Sequence, residues 1–128
     1  MSEYEHTCMI RGDGGRTLRS ILDRIANKWT LLTVATLDQG TLRFTDLHQQ
    51  IPGISQRMLT LTLRNLERDG LVTRTVFAEV PPRVEYALTA VGRSLLAPAL
   101  TLARWAIEHV PQIEASRAGH HPDPPQTR

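Results

Sequence analysis

The spacing of apolar residues predicts that the first half of the chain is mostly helical. Over residues 16–25, apolar residues recur at intervals of three and four with charged residues between them, which is typical of an amphipathic helix. Residues 28–37 are apolar on most sides and predict a short, largely buried helix that ends before Gly40. A short edge strand at residues 41–44 and a third helix at residues 45–50 are expected to follow.

A fourth helix is predicted after a turn. Pro52 cannot continue the preceding helix because it lacks a backbone N–H, and Gly53 permits a sharp reversal. Ser55 is a typical N-cap residue and Gly70 a typical C-terminal stop, so the helix is expected to run to about Asp69. At about 100° per residue, its side chains separate onto an apolar and a polar face. The apolar face carries Met58, Leu59, Leu63 and Leu66, and the polar face carries Gln56, Arg57, Thr60, Arg64 and Arg68.

The pattern changes from helical to extended after Gly70. Residues 71–77 are rich in β-branched side chains and residues 84–88 alternate between apolar and polar. The two segments therefore predict an antiparallel hairpin. Its loop contains Pro81 and Pro82, which are expected to stiffen the tip so that it protrudes.

The last predicted helix carries more apolar surface than one small core needs. Thr89 is a typical N-cap, and the apolar pattern continues to about residue 113, with Pro98 and Pro111 expected to kink or break the helix. Small residues on this helix allow a second helix to approach closely, so we expect dimerisation through this last helix. The predicted dimer-interface residues are Leu18, Leu22, Leu95, Leu102 and Trp105.

The order of these elements predicts the fold class. Helix, helix, edge strand, helix, turn, capped helix, hairpin and helix is the order of a winged helix-turn-helix domain. The fold is mainly α with a small antiparallel β-hairpin, here with extra N- and C-terminal dimerisation helices. The predicted organisation is a flexible arm at residues 1–15, the winged domain with its C-terminal dimerisation helix at residues 16–115, and a disordered tail at residues 116–128.

Composition is compatible with one DNA-binding domain. The 128 residues, of which 41% are hydrophobic, suit a single core. The isoelectric point is about 9.2, and Lys28 is the only lysine among the fifteen lysines and arginines. Arginine binds phosphates and guanine edges well, although a genome of high GC content would produce the same bias.

The polar face of the fourth helix has the chemistry of base recognition. Arginine can donate two hydrogen bonds to guanine, glutamine can pair with adenine, and threonine can meet a base edge or a thymine methyl group. Arginines on the hairpin are expected to contact the DNA backbone or minor groove. The alternative is an ordinary amphipathic surface helix with a solvated polar face. The predicted DNA-binding residues are Ser55, Gln56, Arg57, Thr60, Arg64, Arg74 and Arg83.

Other functional classes are not supported by the sequence. Cys8 is the only cysteine, which excludes a disulfide within the chain and favours a reducing, cytoplasmic location. No apolar run reaches about 18 residues and no signal-peptide pattern is present, so we expect no membrane association. His120 and His121 lack the spacing of metal ligands, and no catalytic arrangement is recognisable. We expect no enzymatic activity and no cofactor.

Several sequence blocks resemble the HxlR-type transcriptional regulators, a MarR-like winged helix-turn-helix family. The most specific are Gly-Ile-Ser-Gln-Arg-Met-Leu at residues 53–59 and Pro-Pro-Arg-Val-Glu-Tyr at residues 81–86, and the resemblance covers about residues 16–109. It implies a homodimer built from the first and last helices, which binds two half-sites of an inverted-repeat operator in double-stranded DNA. It also implies that Ser55, Gln56, Arg57, Thr60 and Arg64 lie on the recognition helix and that Arg83 lies in the wing.

The chain departs from the family at the cysteine that some members use to sense oxidants. The resemblance places that cysteine about fourteen residues before Trp29, where this chain has Gly15. Cys8 therefore remains a candidate redox sensor, and the alternative is an incidental exposed cysteine. A small-molecule effector at the dimer interface is a further expectation that no residue specifies.

Two other functions compete with sequence-specific regulation. The same helix could bind a protein partner as a winged-helix interaction module, or the domain could bind DNA without sequence preference. Salt dependence and competition with unrelated DNA distinguish the three.

Overall fold

The computed structural model describes residues 15–120, which fall into two compact units that divide after Leu96. The helices are α1 (Arg16–Ile25), α2 (Lys28–Thr36), α3 (Phe44–Gln50), α4 (Gln56–Arg68), α5 (Ala90–Ser94) and α6 (Leu96–Ala118). The strands are β1 (Leu42–Arg43), β2 (Val72–Phe77) and β3 (Arg83–Leu88), and a short 3₁₀ turn, Leu37–Gln39, follows α2.

The three strands form one antiparallel sheet with β3 in the centre. The order is β1-β3-β2, with Leu42 opposite Tyr86 and Val72 opposite Leu88. The predicted edge strand therefore pairs with the predicted hairpin. Within the hairpin loop, the Val80–Pro81 peptide bond is cis. A mainly α fold with this small sheet confirms the predicted winged helix-turn-helix class.

The core of the winged domain lies between α2, α3, α4 and the sheet. Val34, Leu37, Leu47 and Leu59 are fully buried, and Tyr86 closes the core from β3. Burial of one such aliphatic side chain contributes roughly 1.5–3 kcal/mol. These contacts fix the position of α4 against the rest of the domain.

Helix α2 is buried along one side only. Thr33 and Val34 have no exposed surface, whereas Leu32 on the same helix is 42% exposed. The sequence predicts burial on most sides, because the apolar run has no polar face. The neighbouring helices α1, α3 and α4 cover part of the circumference of α2, which leaves the apolar surface at Leu32 open.

The two ends of α4 are fixed by local chemistry. Ser55 caps its start, since the Ser55 Oγ accepts a hydrogen bond from the Met58 N–H at 3.0 Å. Gly70 ends it with a φ of +78°, a left-handed conformation that favours glycine. Arg24 of α1 forms an ion pair of 2.5 Å with Asp69 beside that end. The predicted bounds of this helix are confirmed.

The predicted last helix is two helices. The chain breaks at Leu95 between α5 and α6, which places Pro98 in the first turn of α6, where its missing N–H breaks no intrahelical hydrogen bond. Pro111 lies inside α6 without ending it. The helix continues through Ala118, past the predicted domain boundary at residue 115, because residues 114–118 favour helix and the first strong stop is Gly119.

Two predicted regions lie outside the described residues. These are most of the N-terminal arm, with Cys8, and the end of the predicted tail from residue 121 onward. Over the part of the chain that the structure describes, no helix is long and apolar enough to cross a membrane.

Candidate nucleic-acid interface

The packing of α4 turns one face of the helix away from the core. Leu59, Leu63 and Leu66 are buried against the sheet and α2, and Thr62 is buried beside them. The polar side chains of the opposite face are exposed. They are Gln56, Arg57, Thr60, Arg64 and Arg68.

The N-terminal end of α4 is presented by the turn that follows α3. Ile51 and Ile54 are buried on either side of Pro52 and Gly53, so the turn is held to the core by its apolar residues. Gly53 has a φ of +81°, which allows the chain to reverse there. In a helix-turn-helix, the first turn of the recognition helix enters the major groove most deeply. Gln56 and Arg57 occupy that turn and are exposed.

A concave surface joins α4 to β2. Thr60, Arg64 and Glu67 line it from the helix, and Arg74 and Tyr86 line it from the sheet, with Leu63 at its base. Arg64 and Arg74 therefore lie on one continuous surface, although they are ten positions apart in the chain. Two arginines on adjacent elements suit a DNA strand that passes between recognition helix and wing.

Two side chains change the chemistry expected of the recognition face. The Thr60 Oγ1 donates a hydrogen bond of 2.8 Å to the Gln56 carbonyl oxygen, so in this rotamer Thr60 offers a base an acceptor oxygen and a methyl group and not its proton. Leu61 is 48% exposed and lines a second concavity together with Arg57, Thr60 and Arg64. The sequence pattern does not single out Leu61, because leucine was expected only on the apolar face. Its position on the helical wheel, near Arg57 and Arg64, is the signal that could have found it.

Arg83 is already engaged by other side chains of the wing. Its Nη2 lies 3.2 Å from Oε1 of Glu79, and its Nε lies 3.3 Å from Oε1 of Glu85. The guanidinium carbon is 4.1 Å from the centre of the Phe77 ring. The sequence predicts a DNA contact for Arg83, whereas in the structure its charge is matched by carboxylates.

The residues predicted to form a dimer interface differ in their surroundings. Leu18 and Leu22 of α1 are half-buried, and no residue of that helix is fully buried. Leu95 packs against the core of its own chain. On α6, Leu102 and Trp105 are more than half exposed, and Trp105 stacks on His109 with the ring centres 4.7 Å apart.

The site has no metal-binding chemistry within the described residues. No group of three or more histidine, cysteine or carboxylate side chains is close enough to hold a metal ion in residues 15–120. The functional groups that the α4 face offers are arginine, glutamine and threonine side chains, which are those that read DNA.

These elements together define a winged helix-turn-helix DNA-binding domain. The family model of the HxlR-like helix-turn-helix matches residues 21–114. The chain therefore belongs to the HxlR-like family, and it is a transcriptional regulator with a helix-turn-helix DNA-binding domain.

Individual relatives agree with this assignment. An uncharacterised HTH-type transcriptional regulator from Methanothermobacter thermautotrophicus is 49% identical over 105 residues, which are 82% of this chain and 74% of that protein. Among solved structures, ytfH from Salmonella typhimurium is 37% identical with a TM-score of 0.72, over 78% of this chain and 89% of that one. The redox regulator HypR in its reduced form is 39% identical with a TM-score of 0.69, over 77% of this chain and 98% of that one.

Proposed function

We propose that this chain regulates transcription as a homodimer that binds a pseudo-palindromic operator with α4 in the major groove. The observation that carries the proposal is the exposed face of α4, where Arg57 and Arg64 stand on a helix fixed by its buried leucines. Arginine at such positions donates paired hydrogen bonds to guanine O6 and N7. Arg74 extends the basic surface onto the hairpin.

The homodimer is supported by the exposed apolar side chains of α6. Five large apolar side chains of α6 are at least 42% exposed, and they point in several directions around the helix. A helix that is apolar on most sides is normally buried against a partner. A C2 dimer places two identical recognition helices about one DNA turn apart, which matches an inverted repeat. The five residues are Leu100, Leu102, Trp105, Ile107 and Val110.

Selection of binding sites from random DNA tests the proposal. We expect an enriched inverted repeat whose half-site centres are separated by about 10 base pairs or a multiple of that spacing. Enrichment of a single, non-repeated site would contradict the dimeric arrangement. Binding without enrichment would indicate a non-specific DNA-binding protein, and absence of binding would favour a protein-interaction module.

A redox response through Cys8 is a second, separable part of the proposal. One relative is the redox regulator HypR, and Cys8 is the only cysteine of this chain. We expect diamide, which is reduced to its hydrazine as it joins the Cys8 thiols of the two protomers in one intermolecular disulfide, to release the wild-type protein from its operator and to leave the Cys8→Ser variant bound. Anisotropy of labelled operator DNA measures both. Equal release of the two proteins would exclude Cys8 as the sensor.

A further inference from the structure

The side chain of Arg83 is enclosed on several sides by the wing. Side chains at positions i and i+2 of a strand project from the same face, which places Arg83 and Glu85 of β3 side by side. Phe77 of β2 is the cross-strand partner of Arg83, so its ring lies under the guanidinium. Glu79 reaches the same group from the hairpin loop. The Nε atom is buried as a result, and its contact with Glu85 is an ion pair without the geometry of a hydrogen bond. The Arg83 side chain as a whole is only 27% exposed.

The charges of this cluster oppose a phosphate contact. Arg83 contributes one positive charge, and Glu79 and Glu85 contribute two negative charges within 3.3 Å of it. A phosphate that approached Arg83 would meet a group of net negative charge. The negative charges of the phosphate and of the Glu79 and Glu85 carboxylates would repel each other at such distances, and burial strengthens the repulsion.

Arg74 has the opposite surroundings on the neighbouring strand. Its side chain is exposed, and within residues 15–120 no carboxylate forms an ion pair with it. It also shares a concave surface with Arg64 and Glu67 of the recognition helix, where the two arginines and one carboxylate leave a net positive charge. Of the two arginines of the hairpin, Arg74 is therefore the one with charge to offer to DNA.

We propose that Arg83 is a positioning residue that fixes the shape of the wing through Glu79, Glu85 and Phe77, and that Arg74 is the phosphate-binding arginine of the hairpin. The proposal rests on the DNA-binding function proposed above. It assigns to the wing a rigid shape set by an internal ion-pair cluster. Direct contact between the hairpin and DNA then comes from Arg74 on β2.

The salt dependence of DNA binding separates a positioning residue from a phosphate contact. Each phosphate contact contributes about 0.9 to the slope of log Kd against log salt concentration. The double variant Arg83→Gln/Glu85→Gln removes one charge of each sign, so the net charge of the protein is unchanged. Any change of slope in that variant reports a direct contact and not long-range attraction. Arg74→Gln on β2 lowers the net charge by one, so it is compared with Arg16→Gln, which removes the same charge from α1.

The binding experiment uses anisotropy of a short labelled duplex between about 50 and 200 mM salt. For Arg83→Gln/Glu85→Gln we expect the salt slope to be unchanged and the affinity for DNA to be weaker by about five- to thirtyfold. This factor corresponds to the entropy lost when roughly one loop residue, no longer held by the cluster, has to be ordered on binding. For Arg74→Gln we expect the slope to decrease by about 0.9 per protomer. A slope that decreases equally in both variants would overturn the proposal, and so would unchanged affinity in the double variant.

Limited proteolysis tests the shape of the wing without DNA. Elastase cleaves after small residues, and the Ala78–Glu79 bond lies in the exposed loop, whereas the Val80–Pro81 bond resists the protease because proline follows it. We expect faster cleavage there in the double variant than in the wild type or in Arg74→Gln, with thermal unfolding of each variant as a check on folding. Equal cleavage rates would contradict the positioning role. A wild type that binds no DNA would refute the proposed function alone, because cleavage would still report on the cluster.

Discussion

Single residues decide what the recognition helix can read. The centre of its exposed face offers the methyl groups of Leu61, and the Thr60 hydroxyl donates to the backbone of its own helix. Arginines on either side, Arg57 and Arg64, supply hydrogen-bond donors. Thymine is the base that presents a methyl group in the major groove. The face therefore fits a site in which thymine lies next to guanine.

The variant Leu61→Ala tests this match. We expect it to bind the operator roughly fourfold more weakly, as loss of one buried methyl contact costs ~0.8 kcal/mol. Replacing the contacted thymine with uracil should weaken wild-type binding by a similar factor and leave Leu61→Ala unaffected. Anisotropy titrations of the four combinations measure the coupling. Uracil outside the half-sites is the control, and an equal uracil effect in both proteins would rule out the contact.

At the scale of elements, α5 is attached to the hairpin by a close backbone approach. A Cβ atom on Gly92 would lie 1.9 Å from the Leu71 carbonyl oxygen. Thr89 strengthens the same junction, because its Oγ1 donates to the Gly70 carbonyl at 2.7 Å and accepts from the Gly92 N–H at 3.1 Å. Only glycine fits at residue 92 without moving the helix.

We expect Gly92→Ala to lower the free energy of unfolding by roughly 1–3 kcal/mol, since the added methyl group forces α5 away from the backbone of Leu71. Denaturant unfolding measures the change. Gly119→Ala is the matched substitution, because a Cβ there meets its nearest atom at 3.6 Å, and its effect should stay within about 0.5 kcal/mol. Similar small effects at both glycines would show that the junction is not tight.

The elements with local signals could be predicted from the sequence. Helix α4 has a capping serine and a terminal glycine, and both bounds follow from them. The break at Leu95 could not be predicted, because it depends on how α5 packs on Leu71 at Gly92. The position of the Phe77 ring beneath Arg83 was equally inaccessible, since it depends on the register of the two strands. The proximity of Glu85 to Arg83, in contrast, follows from their i, i+2 spacing.

On the scale of the whole molecule, the unpaired apolar surface is concentrated on α6. Trp105 is 54% exposed and Ile107 70% exposed on that helix. Exposed apolar surface of this kind marks an interaction site. An operator with two half-sites gains affinity when one dimer binds both, because the second contact becomes intramolecular.

The variant Trp105→Glu is expected to disrupt the dimer, since a carboxylate would be buried without a partner in the interface. Light scattering should give twice the 14.4 kDa chain mass for the wild type and the single chain mass for the variant. Operator affinity should fall by about 10²-fold or more. Gln112→Glu adds the same charge at an exposed polar position of α6 and should remain dimeric. A wild type that stays monomeric at every concentration would contradict the dimer.

The most direct test of the central claim is anisotropy of the selected operator with wild-type protein and with Arg57→Ala, at two salt concentrations and with excess unrelated DNA. We predict saturable wild-type binding that survives the competitor and weakens with salt, and a loss of roughly 1–3 kcal/mol in Arg57→Ala. Arg16→Ala removes the same charge from α1 and should bind nearly as the wild type does. Wild-type binding that the competitor abolishes, or equal affinity of Arg57→Ala and wild type, would contradict sequence-specific recognition by α4.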